Sequence, residues 1–306
     1  MQVLILGAGA GGGFPQWNCH CANCSGLRQG QSHFQERTQS SIAVSVNGKD
    51  WVLINASPDL RQQINANPEL WPEEGVQRGT AIRSIILTDS QIDHTTGLLD
   101  LREGLPLPVY CTEVVHEDLT TTYPLFTMLK HWHGGLEQHI ISTEHDDGFT
   151  VKGVPELLFQ PVVLESNAPP YSRYRDNIVP GNNIGLKITD TTNGKVVFYA
   201  PGCMQANDLV KNMMAQADCV LFDGTLWLDD EMIAGGFSQK LGTQMGHMPV
   251  NGEHGTINLL NQYDIQRKVL IHINNTNPVL NEQSEQHCAL VSQGIELAYD
   301  GMKINL

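Results

Sequence analysis

Positive charge is scarce in this chain. Its 306 residues include 18 Lys and Arg against 33 Asp and Glu, a formal charge of −15. Such a surface repels the phosphates of nucleic acid and of anionic membranes, so neither is expected as a partner. Long apolar runs are also missing, since none approaches the ~18 residues that crossing a bilayer requires. The opening Met1-Gln2-Val3-Leu4 has no basic leader and runs straight into a glycine turn. That reads as a first strand rather than a signal peptide, and the chain as cytoplasmic. Repeats and low-complexity tracts are absent and no linker divides residues 1–306, so one α/β domain is expected.

The cysteines lack the even count of a disulfide framework. There are seven, and Cys19, Cys21 and Cys24 fall within six residues. In a reducing compartment this pattern favours metal over disulfides. Three thiolates spaced C-x-C-x2-C wrap one soft tetrahedral ion, with a fourth ligand from elsewhere. Nothing in the loop offers a base or an open position, so a structural Zn2+ is expected. Cys111, Cys203, Cys219 and Cys288 are scattered and read as small buried hydrophobes.

A helix is missing where the glycines would need one. Gly7, Gly9 and Gly12 fit G-x-G-x-x-G after an apolar strand. A dinucleotide site needs a helix to start there, so that its amides meet the pyrophosphate. Instead Phe14-Pro15-Gln16-Trp17-Asn18 and the cysteines follow. Pro15 disfavours helix at Phe14, and five glycines between 7 and 13 make an irregular loop. No acidic residue ends a second strand at the expected distance. The whole stretch 7–24 therefore reads as a Gly-rich, Cys-rich zinc loop.

Strand-like runs recur. MQVLILG opens the chain, and SSIAVSVNG and DWVLINAS form a hairpin around Asn47-Gly48-Lys49-Asp50. SIILTD, LPVYCT, KVVFYAPG, CVLFDGT, KVLIHIN and ELAYDGMKI follow. Helices are expected in SPDLRQQINANPEL, DLVKNMMAQA and GEHGTINLLNQY. Hairpins first and helix–strand pairs later suit two mixed sheets packed face to face with helices outside.

SIILTDSQIDHTTGLLDL, residues 84–101, is a strand followed by a loop and a helix. It resembles the metallo-β-lactamase superfamily motif, a strand followed by Thr-His-x-His-x-Asp-His. The amino terminus resembles the branch with a Gly-rich loop and a cysteine-rich ancillary zinc site, which includes tRNA-processing and phosphonate-pathway phosphodiesterases. GAGAGGGFPQWNCHCANC, LTDSQIDHTTGLLDLREG, APPYSRYRDNIVPGNNIGL, YAPGC and LFDGTLW together resemble the members of that superfamily that serve pyrroloquinoline quinone (PQQ) biosynthesis. The resemblance implies an αββα sandwich with its metal site at the sheet edges.

Several ligands of that pattern are lacking. Asp89 stands at the first His position and Gln91 at the second. No His lies in Leu164-Glu165-Ser166-Asn167-Ala168, where the next ligand belongs, and Gly202 takes the place of a bridging Asp. Asp93, His94 and His272 remain. Two His and one carboxylate with open positions opposite is the facial set of non-haem Fe(II) oxygenases. The losses speak against a two-metal hydrolase. They agree with the role that the resemblance implies: hydroxylation of the tyrosine ring of a Glu–Tyr-derived PQQ precursor, by Fe2+. The other reading is a carrier that holds PQQ or its precursor and aids its transport to the periplasm. The partners implied are that small precursor and other PQQ biosynthesis proteins.

Further candidates are weaker. Asp89 is a marginal extra metal ligand. Asp223, ending CVLFD, is a candidate orienter of a metal-bound His. His272 also competes for the cysteine zinc, because relatives carry an ancillary His at the position of Asn275. If His272 serves the iron, then Asn275, a water or another His closes the zinc. His247 and His254 lie in a late Gly-rich segment, where one lines the pocket, as catalytic histidines do in related phosphodiesterases. Arg173 and Arg175 are candidate clamps for substrate carboxylates, set against a solvated loop. His131 and His133, before a Gly-Gly pair, read as a surface loop.

Overall fold

Alternation along the strands decides the architecture. In Cys219–Asp223, Cys219 and Leu221 join one apolar cluster while Val220 and Phe222 join another. Side chains of period two thus bury both faces of a strand, one against the opposing sheet and one against helices. The computed structural model describes residues 1–144 and 147–306.

The first sheet holds β1 (Gln2–Gly7), β2 (Ser41–Ser45), β3 (Trp51–Ile54), β4 (Ile82–Ile86), β5 (Pro108–Thr112) and β6 (Glu137–Ile141). The second holds β7 (Phe149–Val151), β8 (Val154–Val163), β9 (Ile184–Asp190), β10 (Val196–Ala200), β11 (Cys219–Asp223), β12 (Arg267–Ile271) and β13 (Ile295–Leu297). The last strand, β14 (Lys303–Asn305), returns to the first sheet. The orders are β14-β1-β2-β3-β4-β5-β6 and β13-β12-β11-β10-β9-β8-β7, seven strands each among the described residues. Val3, Ile5, Ile42, Ile184, Leu186, Tyr199, Leu221 and Ile271 belong to the shared core between the sheets. Helices Leu60–Ala66 and Glu113–Thr120 cover the outside of the first sheet. Helices Asp208–Ala215 and Glu285–Ser292 cover the second. This is the expected αββα sandwich. No helix among the described residues is long and apolar enough to cross a membrane.

The expected hairpin pairs β2 with β3, and its turn places Gly48 at φ +72°. Some boundaries differ from the sequence reading. ELAYDGMKI is two strands in two sheets: β13 pairs parallel with β12, and β14 pairs antiparallel with β1. The chain turns between them at Gly301, whose φ of +83° an L residue rarely adopts. The helix expected from Ser57 begins only at Leu60. The long hairpin β8–β9 carries no clean alternation in its first strand, which holds Pro155 and Pro161 and has mixed burial. Cys111, Cys203 and Cys219 are buried as expected, but Cys288 is exposed on its helix.

What matters for function is where strands end. β3, β4, β5 and β6 run parallel, as do β10, β11, β12 and β13. Their carboxyl ends therefore gather at one edge of each sheet. The glycine loop closes that edge. Gly9 bridges to both Gln39 and Ile273, and the amide of Ala10 donates to the carbonyl of Ile273. A Cβ on Gly7 would lie 2.1 Å from the carbonyl oxygen of Gln39. The glycines let the chain pass between the sheets, and no helix starts on them. The next helix, Ala22–Arg28, begins among the cysteines, with Cys21 as its N-cap and Cys24 in its first turn.

Candidate metal centre

The strand ends bring Asp93, His94 and His272 together, each offering a ligand atom within 4.8 Å of the others. Asp93 and His94 sit on the short helix Ile92–Thr95, which follows β4. His272 directly follows β12, with a φ of +61°. A non-glycine residue in that region is uncommon and is held there by its surroundings. Here Thr225 Oγ1 lies 2.9 Å from His272 Nδ1 and also donates to its carbonyl oxygen at 2.9 Å. His272 Nε2 points to Asp93 Oδ2 at 3.3 Å.

His94 is fixed from its other side. Its Nδ1 lies 2.7 Å from Asp89 Oδ2, and Asp89 Oδ1 accepts the amide of Gln91 at 2.9 Å. His94 is buried, and its Nε2 has no hydrogen-bond partner. A buried ring nitrogen without a partner is costly in a folded protein and fits a metal ligand. Gly11 supplies the cradle: a Cβ there would lie 3.2 Å from Asp93 Oδ2. Burial opposes charge on His94, but Asp89 and Asp93 outweigh it and raise its pKa to about 9. Burial likewise disfavours the Asp93 carboxylate, and His94 and His272 outweigh it, holding it well below the usual range. His272 is pushed down, chiefly by burial.

Asp89 therefore orients His94, and the ligand cluster does not include it. Asp223 faces His247, and Asp223, His247 and His272 form a second group whose ligand atoms lie within 4.8 Å of one another. Asp223 Oδ2 lies 2.8 Å from His247 Nδ1 and accepts the amide of Cys203, while its Oδ1 accepts the amide of Thr225. Burial disfavours charge on His247, and Asp223 outweighs it, raising its pKa. The His247 and His272 rings stack with centroids 5.2 Å apart. His254 lies in a different cleft, beside Met248 and Gln262.

A cavity of about 240 Å³ covers this set. Its lining adds Gln91, Ser166, Asn183, Gly202, Met232 and Met245. Arg173 and Arg175 do not line it. Arg173 pairs with Glu117 at 2.7 Å, its side chain 62% exposed, and Arg175 donates to the carbonyl of Ala168. Neither loop arginine is placed to clamp a ligand beside the metal ligands. Thr225 and Asn183 were not singled out from sequence, although LFDGTLW and PGNNIGL contain them. The loop with His131 and His133 is an exposed turn.

The Sγ atoms of Cys19, Cys21 and Cys24 also lie within 4.8 Å of one another. No histidine or carboxylate joins them among the described residues. Asn275 caps the triangle, its Nδ2 3.1 Å from Cys19 Sγ, 3.4 Å from Cys24 Sγ and 3.7 Å from Cys21 Sγ. Burial pushes the Cys21 thiol up to about 11, a shift that a bound cation reverses.

Comparison with known proteins agrees with this geometry. The family model "Beta-lactamase superfamily domain" matches residues 50–273. The coenzyme PQQ synthesis protein B of Klebsiella pneumoniae subsp. pneumoniae is 56% identical over all of this chain and 98% of its own. That of Acinetobacter baylyi is also 56% identical, over the whole of both chains. The crystal structure of Zn(2+)-bound PqqB from Methylobacterium extorquens superposes with a TM-score of 0.91 at 38% identity, covering both chains fully. With these relatives and this arrangement of strand-end ligands, the chain belongs to the coenzyme PQQ synthesis protein B family of the β-lactamase superfamily.

Proposed function

We propose that the protein hydroxylates the tyrosine ring of a Glu–Tyr-derived precursor of PQQ, with one Fe2+ held by Asp93, His94 and His272. Its place in PQQ biosynthesis rests on the 56% identity with its named relatives over the full chain. One observation carries the chemistry: His94 Nε2 is buried and unpartnered beside Asp93 and His272, while Asp89 holds Nδ1. Two imidazoles and a carboxylate form a facial set that leaves positions for ligand and O2. Gln91 and Gly202 line the cavity where a two-metal hydrolase needs ligands for its second ion, which weighs against hydrolysis.

Iron held there would supply O2 activation for a hydroxylation in which one oxygen atom of O2 enters the ring and the other leaves as water, the two electrons coming from an external reductant. The protein's own residues do the rest. Asp93 offsets the positive charge. Asp89 and Thr225 fix the two imidazole rings so that each turns one nitrogen toward the centre. His247, held through Nδ1 by Asp223, has Nε2 free to exchange a proton with a ring hydroxyl. Cys19, Cys21 and Cys24, with Asn275 beside them, would hold a structural Zn2+. The free thiols and the acidic surface suit a cytoplasmic site, with the precursor and other PQQ biosynthesis proteins as partners.

Metal analysis tests this reading. Protein made anaerobically with ample iron should carry one iron and one zinc per chain, and His94→Ala should keep only the zinc. Equal iron in wild type and His94→Ala would overturn the assignment.

A further inference from the structure

A second cavity, of about 490 Å³, shares no lining residue with the one over the metal ligands. Gly12 and Gly13 of the glycine loop form one wall, and the end of helix Leu60–Ala66 forms another. Its volume falls within the ~300–1,000 Å³ of small-molecule sites.

Arg37 is the one cation in its lining. The residue is 5% exposed, and its backbone exchanges two hydrogen bonds with that of Phe14, at 2.7 and 2.9 Å. Its side chain is only partly satisfied. Nε donates to the carbonyl of Ala298 and Nη1 to that of Gln35, both at 2.9 Å. A guanidinium carries five N–H groups, so the rest find no acceptor, and Arg37 makes no ion pair among the described residues. Nη2 makes no hydrogen bond, yet it is not sealed from solvent. Burial outweighs Asp300 and Glu282 and lowers the pKa of Arg37 to about 10. Charges buried this deeply are normally paired, and the planar guanidinium fork matches a carboxylate.

The other charges around the cavity narrow the ligand. Asp300 uses both oxygens on the amides of Ala8 and Thr38 and on Thr38 Oγ1. Asp59 Oδ2 accepts the amide and the side chain of Gln39, while its Oδ1 makes no hydrogen bond. With exposed Glu36, these carboxylates repel a second negative charge and favour an ammonium on the same molecule. Leu6, Phe14 and Pro15 add apolar surface.

We infer that this cavity is a binding site for a small apolar amino acid, whose carboxylate pairs with Arg37 and whose ammonium faces the acidic wall. The site is separate from the metal centre and stands whether or not the iron reading holds.

The test titrates the full chain by calorimetry with L-norleucine. Beside it stand L-norleucinamide, which lacks the carboxylate, and hexanoate, which lacks the ammonium. Wild type should bind norleucine, with norleucinamide roughly tenfold weaker and hexanoate several-fold weaker. Arg37→Gln should lose norleucine. Because Arg37 also braces the fold, Ala66→Trp is the second variant: it fills the cavity from the exposed last residue of the helix, leaves the guanidinium in place and should also lose norleucine. His94→Ala should bind norleucine as wild type does. No norleucine binding by wild type would overturn the site. So would norleucinamide or hexanoate bound as tightly as norleucine, or wild-type affinity in Ala66→Trp. Loss of binding in His94→Ala would put the probe at the metal centre, overturning the second site and leaving the metal reading untouched.

Discussion

Asp89 Oδ2 and His94 Nδ1 lie 2.7 Å apart, both buried, and this contact turns the unpartnered His94 Nε2 toward Asp93 and His272. A residue at an old ligand position has become the support for a ligand. Carboxylates in that role set the tautomer and orientation of a metal-bound imidazole, and their loss typically costs 10–100-fold in affinity. Asp89→Ala should therefore weaken iron binding by about that factor and leave the cysteine zinc in place. Titration with Fe2+ under anaerobic conditions checks this. Unchanged affinity would mean that Asp89 serves the fold alone.

A side chain at Gly11 should disturb the Asp93 carboxylate and so weaken metal binding. A Cβ at this position would stand 3.2 Å from Asp93 Oδ2, so the carboxylate has to give by a few tenths of an ångström. Gly11→Ala should lower iron content several-fold with little change in melting temperature. Comparing metal content with thermal unfolding separates a displaced ligand from a damaged fold.

Asp93, His94 and His272 were picked out in the sequence because the first two lie in the motif after β4 and the last directly follows an apolar strand, and the fold brings the three together as candidate ligands. Their supports were less legible. Thr225 reaches His272 across 47 positions, and only the folded register of β11 beside β12 makes them neighbours. Asp223 was rightly noticed as a strand-end carboxylate, but whether it faces His247 or His272 depends on side-chain direction. For the arginines of the loop 168–177, the clamp and the solvated loop were both open in the sequence. Their chemistry suits a carboxylate clamp, yet Glu117 on a neighbouring helix takes Arg173. The split of ELAYDGMKI was hidden because its two halves look like one strand, and only the turn at Gly301 sends them to different sheets.

The cysteine triangle is expected to act as a staple. Metal binding there is coupled to folding, because the unfolded loop holds no preformed site. Cys21→Ala should lose one zinc per chain and several kcal/mol of stability, read by urea unfolding and metal analysis. Equal zinc content and an equal midpoint would contradict the structural role.

Asp300 gives the stability a pH dependence away from the metal. Its oxygens accept from the amides of Ala8 and Thr38 and from Thr38 Oγ1. Burial nevertheless raises its pKa from 3.8 to about 6, outweighing those hydrogen bonds and the nearby Arg37. A carboxyl with a raised folded pKa binds its proton more tightly folded than unfolded. Its contribution is greatest below the unfolded pKa and falls as pH rises through about 6. The difference in unfolding free energy between wild type and Asp300→Asn should therefore shift between pH 4 and pH 7 by on the order of 2 kcal/mol, in the direction that disfavours wild type at pH 7. A difference independent of pH would contradict a raised pKa.

The oxygenase reading and the carrier reading part at turnover. A carrier holds the precursor with the same residues, so its variants change affinity and no rate. The decisive measurement is a single turnover: anaerobic wild-type protein with Fe2+ and a Glu–Tyr-derived precursor is mixed with O2 and reductant beside His94→Ala, and the product is analysed for added oxygen. The account predicts a ring carrying one new hydroxyl, labelled when 18O2 is used, from wild type and none from His94→Ala. Unaltered precursor recovered from iron-loaded wild type would contradict the hydroxylase and leave the carrier in its place.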